Sequence, residues 1–353
     1  MKILYASHIW PRDYSQYRIW ALERLGHAVI PCNTDDYEFS SRYLRAIAFR
    51  LVAGPSVSRI NRELVRLAES ERPDIFIGDK CLAVRPSTLD RMRDLGIVTV
   101  SIMIDNAFGP RRDPGWRLYM KCIPHYDLHV TQRDSSFADY RSRSARDVMK
   151  IQTTYEPTIH FPHPEGLSDR DRDRGVSFVG TPYDDRAVTL VRLGALGEFP
   201  VTISGSPRSW QRALSTTDFA SYFREGELHL REYREAIWRS RINLSFLTRS
   251  NLDEFTQKSF EIAACGGFLL AERSQGHLDR FKEDEEAVFF TGYDELLEKI
   301  RRYYPDEAAR NRIAAAGQVR AERDGYHNDR QVTLILERAQ QIIAANRPTP
   351  ATR

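Results

Sequence analysis

Ile242-Asn-Leu-Ser-Phe-Leu247, Thr256-Gln-Lys-Ser-Phe-Glu-Ile-Ala-Ala-Cys265 and Phe268-Leu-Leu-Ala-Glu272 follow one another, separated by a polar stretch and a Gly-Gly pair. The outer two are short apolar runs of the kind that form strands covered on both faces, and the middle one has helical spacing. A strand, a helix and a strand in that order make a parallel pair joined by a crossover. The same alternation extends upstream through Gly175–Gly180 (GVSFVG, strand), Asp185–Gly197 (helix), Phe199–Gly205 (strand) and Arg231–Arg241 (helix). Downstream, Ala287–Phe290 is followed by helical patterns over Asp294–Tyr304, Asp306–Arg323 and His327–Ala345.

The first half repeats the pattern without repeating the sequence. Lys2–Ser7, Ala28–Cys32, Pro73–Asp79, Ile97–Asp105, Tyr126–Thr131 and Val148–Thr153 read as strands between helical segments. Between the halves lies a stretch with three prolines and the run Asp-Arg-Asp-Arg-Asp-Arg, read as a linker whose charges solvate a surface. The expectation is α/β: two doubly wound Rossmann-like domains facing across a cleft, with a helical C-terminal tail. The domains span 1–155 and 176–326, the linker 156–175, and the helix 327–345 packs back on the first domain.

The 353 residues suit roughly two domains at about 150 residues each. With 52 basic against 49 acidic residues the net charge is only +3, which argues against a nucleic-acid binder. No run reaches the roughly 18 apolar residues of a bilayer span. The opening Met1–His8 turns polar too early for a signal peptide, so the expected location is cytoplasmic, with peripheral contact at the inner membrane face as an option. Cys32, Cys81, Cys122 and Cys265 are scattered singly, which suggests free thiols rather than a disulfide framework or zinc site.

In doubly wound sheets, ligands bind beyond the carboxyl ends of the strands where the strand order reverses. This rule selects His8 to Asp13, Asp35, Asp36, Asp79, Lys80, Asp105, Asn106 and Gln132 to Asp134 in the first half. In the second it selects Gly180 to Arg186, Ser204 to Arg208 and Thr248 to Lys258. Both sets are expected to line one interdomain cleft.

The segment Asp253–Gly267 is the most informative. A polar stretch enters a helix whose first turn holds Thr256, Gln257 and Lys258, and helix-start amides with a lysine attract phosphate. Glu261, one turn on, is placed to accept hydrogen bonds from two ribose hydroxyls. A capped helix with a surface Lys258–Glu261 pair also fits the spacing. The apolar Ile-Ala-Ala-Cys-Gly-Gly that follows favours function, because a carboxylate beside a core needs partners.

The pattern Thr-x-Lys-x-Phe-Glu-x-x-Ala-Cys-Gly-Gly-Phe-Leu-Leu of Thr256–Leu270 resembles the C-terminal domain of bacterial GT-B glycosyltransferases, nearest the "glycosyl transferases group 1", spore-maturation-type branch. The likeness takes in Val176–Arg186, Glu227–Leu247 and Glu322–Arg330. In the first half it is weaker and rests on strand order, the Leu25-Gly26-His27 turn and the Tyr155–His160 junction. The resemblance implies a glycosyltransferase that binds a nucleotide-sugar donor in its second domain. Glu261 then matches the ribose-binding glutamate, and Asp253, or Glu254, the contact to the donor sugar. Lys258 and Arg186 become the cations facing the diphosphate. Gly180 and Thr181 form the loop at the phosphates, and Leu228, His229 and Leu230 lie against the base. No metal and no cofactor are expected, since helix amides and these cations can stabilise the leaving diphosphate. The acidic pairs Asp35-Asp36 and Asp184-Asp185 read as solvated turns. Domain closure over the donor is expected to exclude water.

The acceptor, a glycan, lipid-linked or small-molecule hydroxyl, is expected in the first domain. Asp13, Asp105 and His8 are the candidate bases, Asp13 foremost if the reaction inverts. His8 as a loop residue and Asp105 as a helix cap fit equally well. The resemblance leans toward retention, which needs no strong base. Arg42–Arg62 combines apolar spacing with five arginines and reads either as a membrane-surface element or as a helix pair packed on the sheet. Trp10, Tyr14, Tyr17, Trp20, Trp116 and Tyr119 read as acceptor-stacking or core aromatics. Two other functions stay open: a nucleotide-sugar epimerase of the same fold, and a non-catalytic nucleotide-sugar or glycan-binding protein.

Overall fold

The computed structural model describes residues 1–109 and 113–346. The chain divides into two units: Met1–Gln152 together with the C-terminal segment from Asn328, and Thr153–His327. Each is built on a six-stranded parallel sheet.

In the first unit the strands are β1 (Lys2–Ser7), β2 (Ala28–Asn33), β3 (Ile75–Asp79), β4 (Val98–Ile102), β5 (Leu128–Thr131) and β6 (Val148–Lys150), in the order β2-β1-β3-β4-β5-β6. Every residue of β3 and β4 is buried, including the polar Asp79, Thr99 and Ser101, as expected for strands covered on both faces. The helix Asn328–Asn346 belongs to this unit. It contributes Val332, Ile335, Leu336 and Ala339 to a core with Ile3, Leu22, Ile75 and Val100. At its start Asp329 pairs with Arg24 at 2.5 Å.

The second unit holds β7 (Val176–Val179), β8 (Val201–Ser204), β9 (Phe223–Glu225), β10 (Ile242–Ser245), β11 (Leu269–Glu272) and β12 (Val288–Phe290), in the order β12-β11-β10-β7-β8-β9. The strand order reverses between β7 and β10, and in the first unit between β1 and β3. At the reversal the crossovers leave to opposite faces and open a crevice beyond the strand ends.

The linker reading needs correction. Asp169 accepts from Arg310, whose side chain is 1% exposed, and Asp173 pairs with Arg224 and Arg239. Arg174 is fully buried, donates to Ser204 Oγ at 2.7 Å and pairs with Glu225. The charged run therefore pins its own segment to the second unit. The short helices Pro207–Ala213 and Thr216–Tyr222 and the edge strand β9 have no counterpart in the sequence reading.

Candidate active site

At the reversal point of the second unit, three segments meet. The loop after β7 carries Gly180 and Thr181, the loop after β8 carries Gly205, and the loop after β10 leads into the helix Gln257–Ala264. The loops touch closely. A Cβ on Gly205 would lie 2.2 Å from the Gly180 carbonyl oxygen, so only glycine fits there. Gly205 N also donates to Gly226 O at 3.1 Å, which draws in the loop after β9 that carries Leu228, His229 and Leu230. His229 is the N-cap of the helix Leu230–Trp238, and Leu230 has φ +49°.

The helix Gln257–Ala264 starts at Thr256, which offers no side-chain cap. Instead the Thr256 hydroxyl joins a chain: it lies 2.8 Å from Ser245 Oγ and 3.2 Å from Ser259 Oγ, and Ser259 Oγ lies 2.9 Å from His277 Nε2. His277 Nδ1 donates to Glu272 O at 2.8 Å, so its Nε2 accepts from Ser259. Burial holds His277 down to about 4 and thus neutral. This chain fixes the helix start against β10 and β11.

Lys258 and Gln257 are the groups left over. The Lys258 ammonium is 5.4 Å from the Tyr233 ring centroid and makes no hydrogen bond or 4 Å ion pair among the described residues. Burial lowers its pKa, nearby Arg186 acts in the same direction, and Glu261 opposes both. Gln257 Nε2 is buried with no partner. Glu261 is 3% exposed, and its Oε1 lies 3.8 Å from Nε2 of the equally buried His160, whose pKa burial lowers. A buried carboxylate with one distant partner retains capacity for further donors.

Arg186 departs from expectation. Its Nη1 donates to Thr181 O at 3.1 Å, and its Nη2 reaches Leu247 O and Thr248 Oγ1 at 3.0 Å each. At 5% exposure it ties the loop after β7 to the loop after β10 rather than presenting a free fork to a ligand. Asp253 accepts from Asn251 Nδ2 at 2.6 Å, and the Glu254 carbonyl accepts from Ser274 Oγ. Asp184 and Asp185 accept from Arg249.

In the first unit His8 sits between two carboxylates, with Nδ1 2.6 Å from Asp35 Oδ1 and Nε2 3.5 Å from Asp13 Oδ2. Trp10 Nε1 donates to Asp35 Oδ2 at 3.1 Å. Asp105 is set apart, paired with Lys80 at 2.8 Å. Asp79, selected by the strand-end rule, is instead 1% exposed, bonded to Arg18 at 2.6 Å and to the Tyr5 hydroxyl at 2.5 Å. Tyr17, Trp116 and Tyr119 are core aromatics, whereas Trp10 and Tyr14 are exposed. Among the described residues no three His, Cys, Asp or Glu side chains gather as a metal-ligand set. The four cysteines are free and buried.

Sequence reasoning missed His160, Tyr233, Ser245, Ser259 and His277. Ser259 lies inside the quoted motif, but two of its partners, Ser245 and His277, come from outside it.

Residues 186–337 match a family model described as glycosyl transferase-like. No curated protein sequence matches the chain. Among solved structures, HepE of Anabaena in complex with UDP is similar at 14% identity over 97% of this chain and 100% of its own, with a TM-score of 0.65. Sucrose-phosphate synthase of Thermosynechococcus elongatus is similar at 13% identity over 98% and 100%, with a TM-score of 0.68. Trehalose-6-phosphate synthase, studied for glycosyl transfer with retention, is similar at 11% identity over 96% and 99%, with a TM-score of 0.63. Residues 186–337 therefore match a glycosyl transferase-like model, and the chain as a whole shares the two-sheet GT-B fold of these structures.

Proposed function

We propose that the chain transfers a sugar from a nucleoside diphosphate donor, held by the second unit, to an acceptor hydroxyl held by the first. The observation that carries this reading is Lys258: an ammonium with no hydrogen bond or ion pair among the described residues, on the first turn of a helix against the bare Cα of Gly180 at the sheet's reversal point. As the bond from the sugar's anomeric carbon to the diphosphate oxygen breaks, negative charge grows on the leaving group. Lys258 and the helix amides stabilise it without reorganising. Glu261 accepts from the ribose hydroxyls, and Leu228, His229 and Leu230 lie beside the base. Asp253 or Glu254 meets the sugar, with Arg186 holding the loops that carry it. This chemistry needs no metal ion.

HepE has been crystallised with UDP-glucose, which makes UDP-sugars the first donors to try. The likeness to trehalose-6-phosphate synthase, studied for glycosyl transfer with retention, supports a retaining reaction. The acceptor's proton then leaves to a donor phosphate oxygen; Asp13 and His8 stand at the acceptor side if a base is required. The Thr256–Leu270 pattern supports a position near the spore-maturation-type branch of GT-B enzymes.

No helix among the described residues is long and apolar enough to cross a membrane. Peripheral contact is supported by the helix Arg42–Leu51, whose Tyr43, Leu44, Ile47 and Leu51 are 70, 47, 53 and 65% exposed beside Arg42, Arg45 and Arg50.

A thermal-shift panel of nucleotide sugars tests the donor, because a bound ligand raises stability by mass action. Nucleoside diphosphate release with and without acceptor tests the reaction. Acceptor-dependent release is expected. Sugar interconversion without acceptor would replace this reading with an epimerase, and binding without turnover with a binding protein.

A further inference from the structure

Beyond the carboxyl ends of β1, β2 and β3 lies a cavity of about 250 Å³ in the first unit. Polar side chains of His8, Asp35, Glu38, Arg45, Ser56 and Lys80 line part of it, and apolar side chains line most of the rest. Ala48 and Val52 line it from the helix Arg42–Leu51 and its C-cap, Val57 and Ile60 from the helix Pro55–Glu71, and Leu82 and Ala83 from the loop after β3. Cys81 adds a thiol that burial pushes up to about 12, hence neutral.

A site made for a sugar alone would surround it with hydrogen-bonding groups, since each buried hydroxyl needs a partner. Here the polar groups leave a continuous set of apolar partners in Ala48, Val52, Val57, Ile60, Leu82 and Ala83 that offer a sugar hydroxyl nothing. An apolar cavity of about 150 Å³ already holds benzene, so this one takes a ring or a short alkyl segment. The same helix also carries the exposed Tyr43, Ile47 and Leu51, so it has apolar side chains both at the cavity and on the outside.

We propose that this cavity holds the apolar part of an amphipathic acceptor, with the acceptor's polar, hydroxyl-bearing end at His8 and Asp35. This assignment rests on the glycosyltransferase reading for the word acceptor, but not for the binding itself.

The test uses the full chain and alkyl glucosides with butyl, hexyl and octyl chains, below their micelle-forming concentrations. Affinity measured by calorimetry is expected to rise about fourfold per methylene until the cavity is filled. Ala48→Trp and Ala83→Trp, each filling the cavity from a different wall, are expected to flatten that rise while leaving nucleoside diphosphate affinity unchanged. NMR contacts from the alkyl chain to the Val52, Val57 and Ile60 methyls are expected. Affinity independent of chain length would overturn the proposal, as would a rise that neither tryptophan variant reduces. If the chain-length dependence holds and no nucleotide sugar is turned over, the cavity assignment stands and the transferase reading falls.

Discussion

The Cβ that Gly180 lacks would lie 3.2 Å from Lys258 Cε and 2.9 Å from Phe178 Cζ. Gly180 cannot retreat, because its N–H donates to Ser204 O at 2.9 Å and its carbonyl accepts from Trp210 Nε1 at 2.8 Å. Phe178 is a core ring at 1% exposure, so the lysine chain is what yields. Gly180→Ala is expected to lower stability by about 1–2 kcal/mol through overpacking. It should also lower kcat/KM about tenfold by displacing the ammonium. Thermal unfolding and steady-state kinetics on the same preparation check both numbers, and unchanged kinetics would remove Lys258 from the reacting centre.

Lys258→Met keeps the packing against Tyr233 and removes the charge. Charge on the leaving diphosphate is greatest in the transition state, so turnover is expected to fall about 100-fold, with donor affinity falling less than tenfold. Single-turnover rates and calorimetry separate the two. Equal losses would mean that Lys258 contributes only to ground-state binding.

Glu261 makes a different prediction because its proposed role is in binding. Glu261→Ala is expected to weaken nucleoside diphosphate affinity by about 2 kcal/mol, from lost charge-assisted hydrogen bonds. Donor affinity that survives in a folded Glu261→Ala protein would show that the carboxylate serves His160 and Lys258 internally.

What the sequence disclosed follows from which interactions are local. Ile75–Asp79 and Val98–Ile102 are legible as strands because they are short, largely β-branched and apolar runs bounded by polar residues. The edge strand Phe223–Glu225 was not, being three residues long and only partly buried. Lys258 and Glu261 could be read from spacing along one helix. Arg186 was identified, but its side chain's direction depends on the Leu247 and Thr248 partners, 61 and 62 residues away. His277 reaches Ser259 from 18 residues downstream, so no local pattern announced it. Asp79 shows the converse: the strand-end rule chose it correctly by position, yet Arg18 and Tyr5 take up its carboxylate.

His129 and His277 are both fully buried, and burial brings each to about 4, one in each unit. The unfolded chain binds these protons near 6.5, so above that pH neither affects stability. As pH falls below 6.5 the unfolded state takes up protons first, and stability drops until the folded values near 4 are passed. The slope approaches about 1.4 kcal/mol per pH unit per histidine, roughly 3 kcal/mol each in total. In His277→Gln the amide can still meet Glu272 O and Ser259 Oγ, so the second unit is expected to lose its share of that slope. Denaturant melts between pH 7 and 4 check this, and identical slopes in both proteins would refute the assignment of a neutral, buried His277.

The last expectation concerns the helix Arg42–Leu51. From Phe39 to Arg62 there are five arginines and no acidic residue, in a chain whose net charge is only +3. Tyr43, Ile47 and Leu51 recur every four residues, so they share one exposed face with Leu44 beside them. Such a face meets the headgroup region of an anionic bilayer with apolar burial and charge attraction together. The full chain is therefore expected to co-sediment with phosphatidylglycerol-containing vesicles and far less with pure phosphatidylcholine. Added salt should weaken the binding, because surface charges are screened. Ile47→Glu should abolish the interaction by placing a carboxylate in the apolar face, and Arg42→Gln with Arg50→Gln should reduce it severalfold. Nucleoside diphosphate affinity should be unchanged in both variants, since the proposed donor site belongs to the other unit. Equal binding to neutral and anionic vesicles, or binding indifferent to Ile47→Glu, would assign the contact to some other surface.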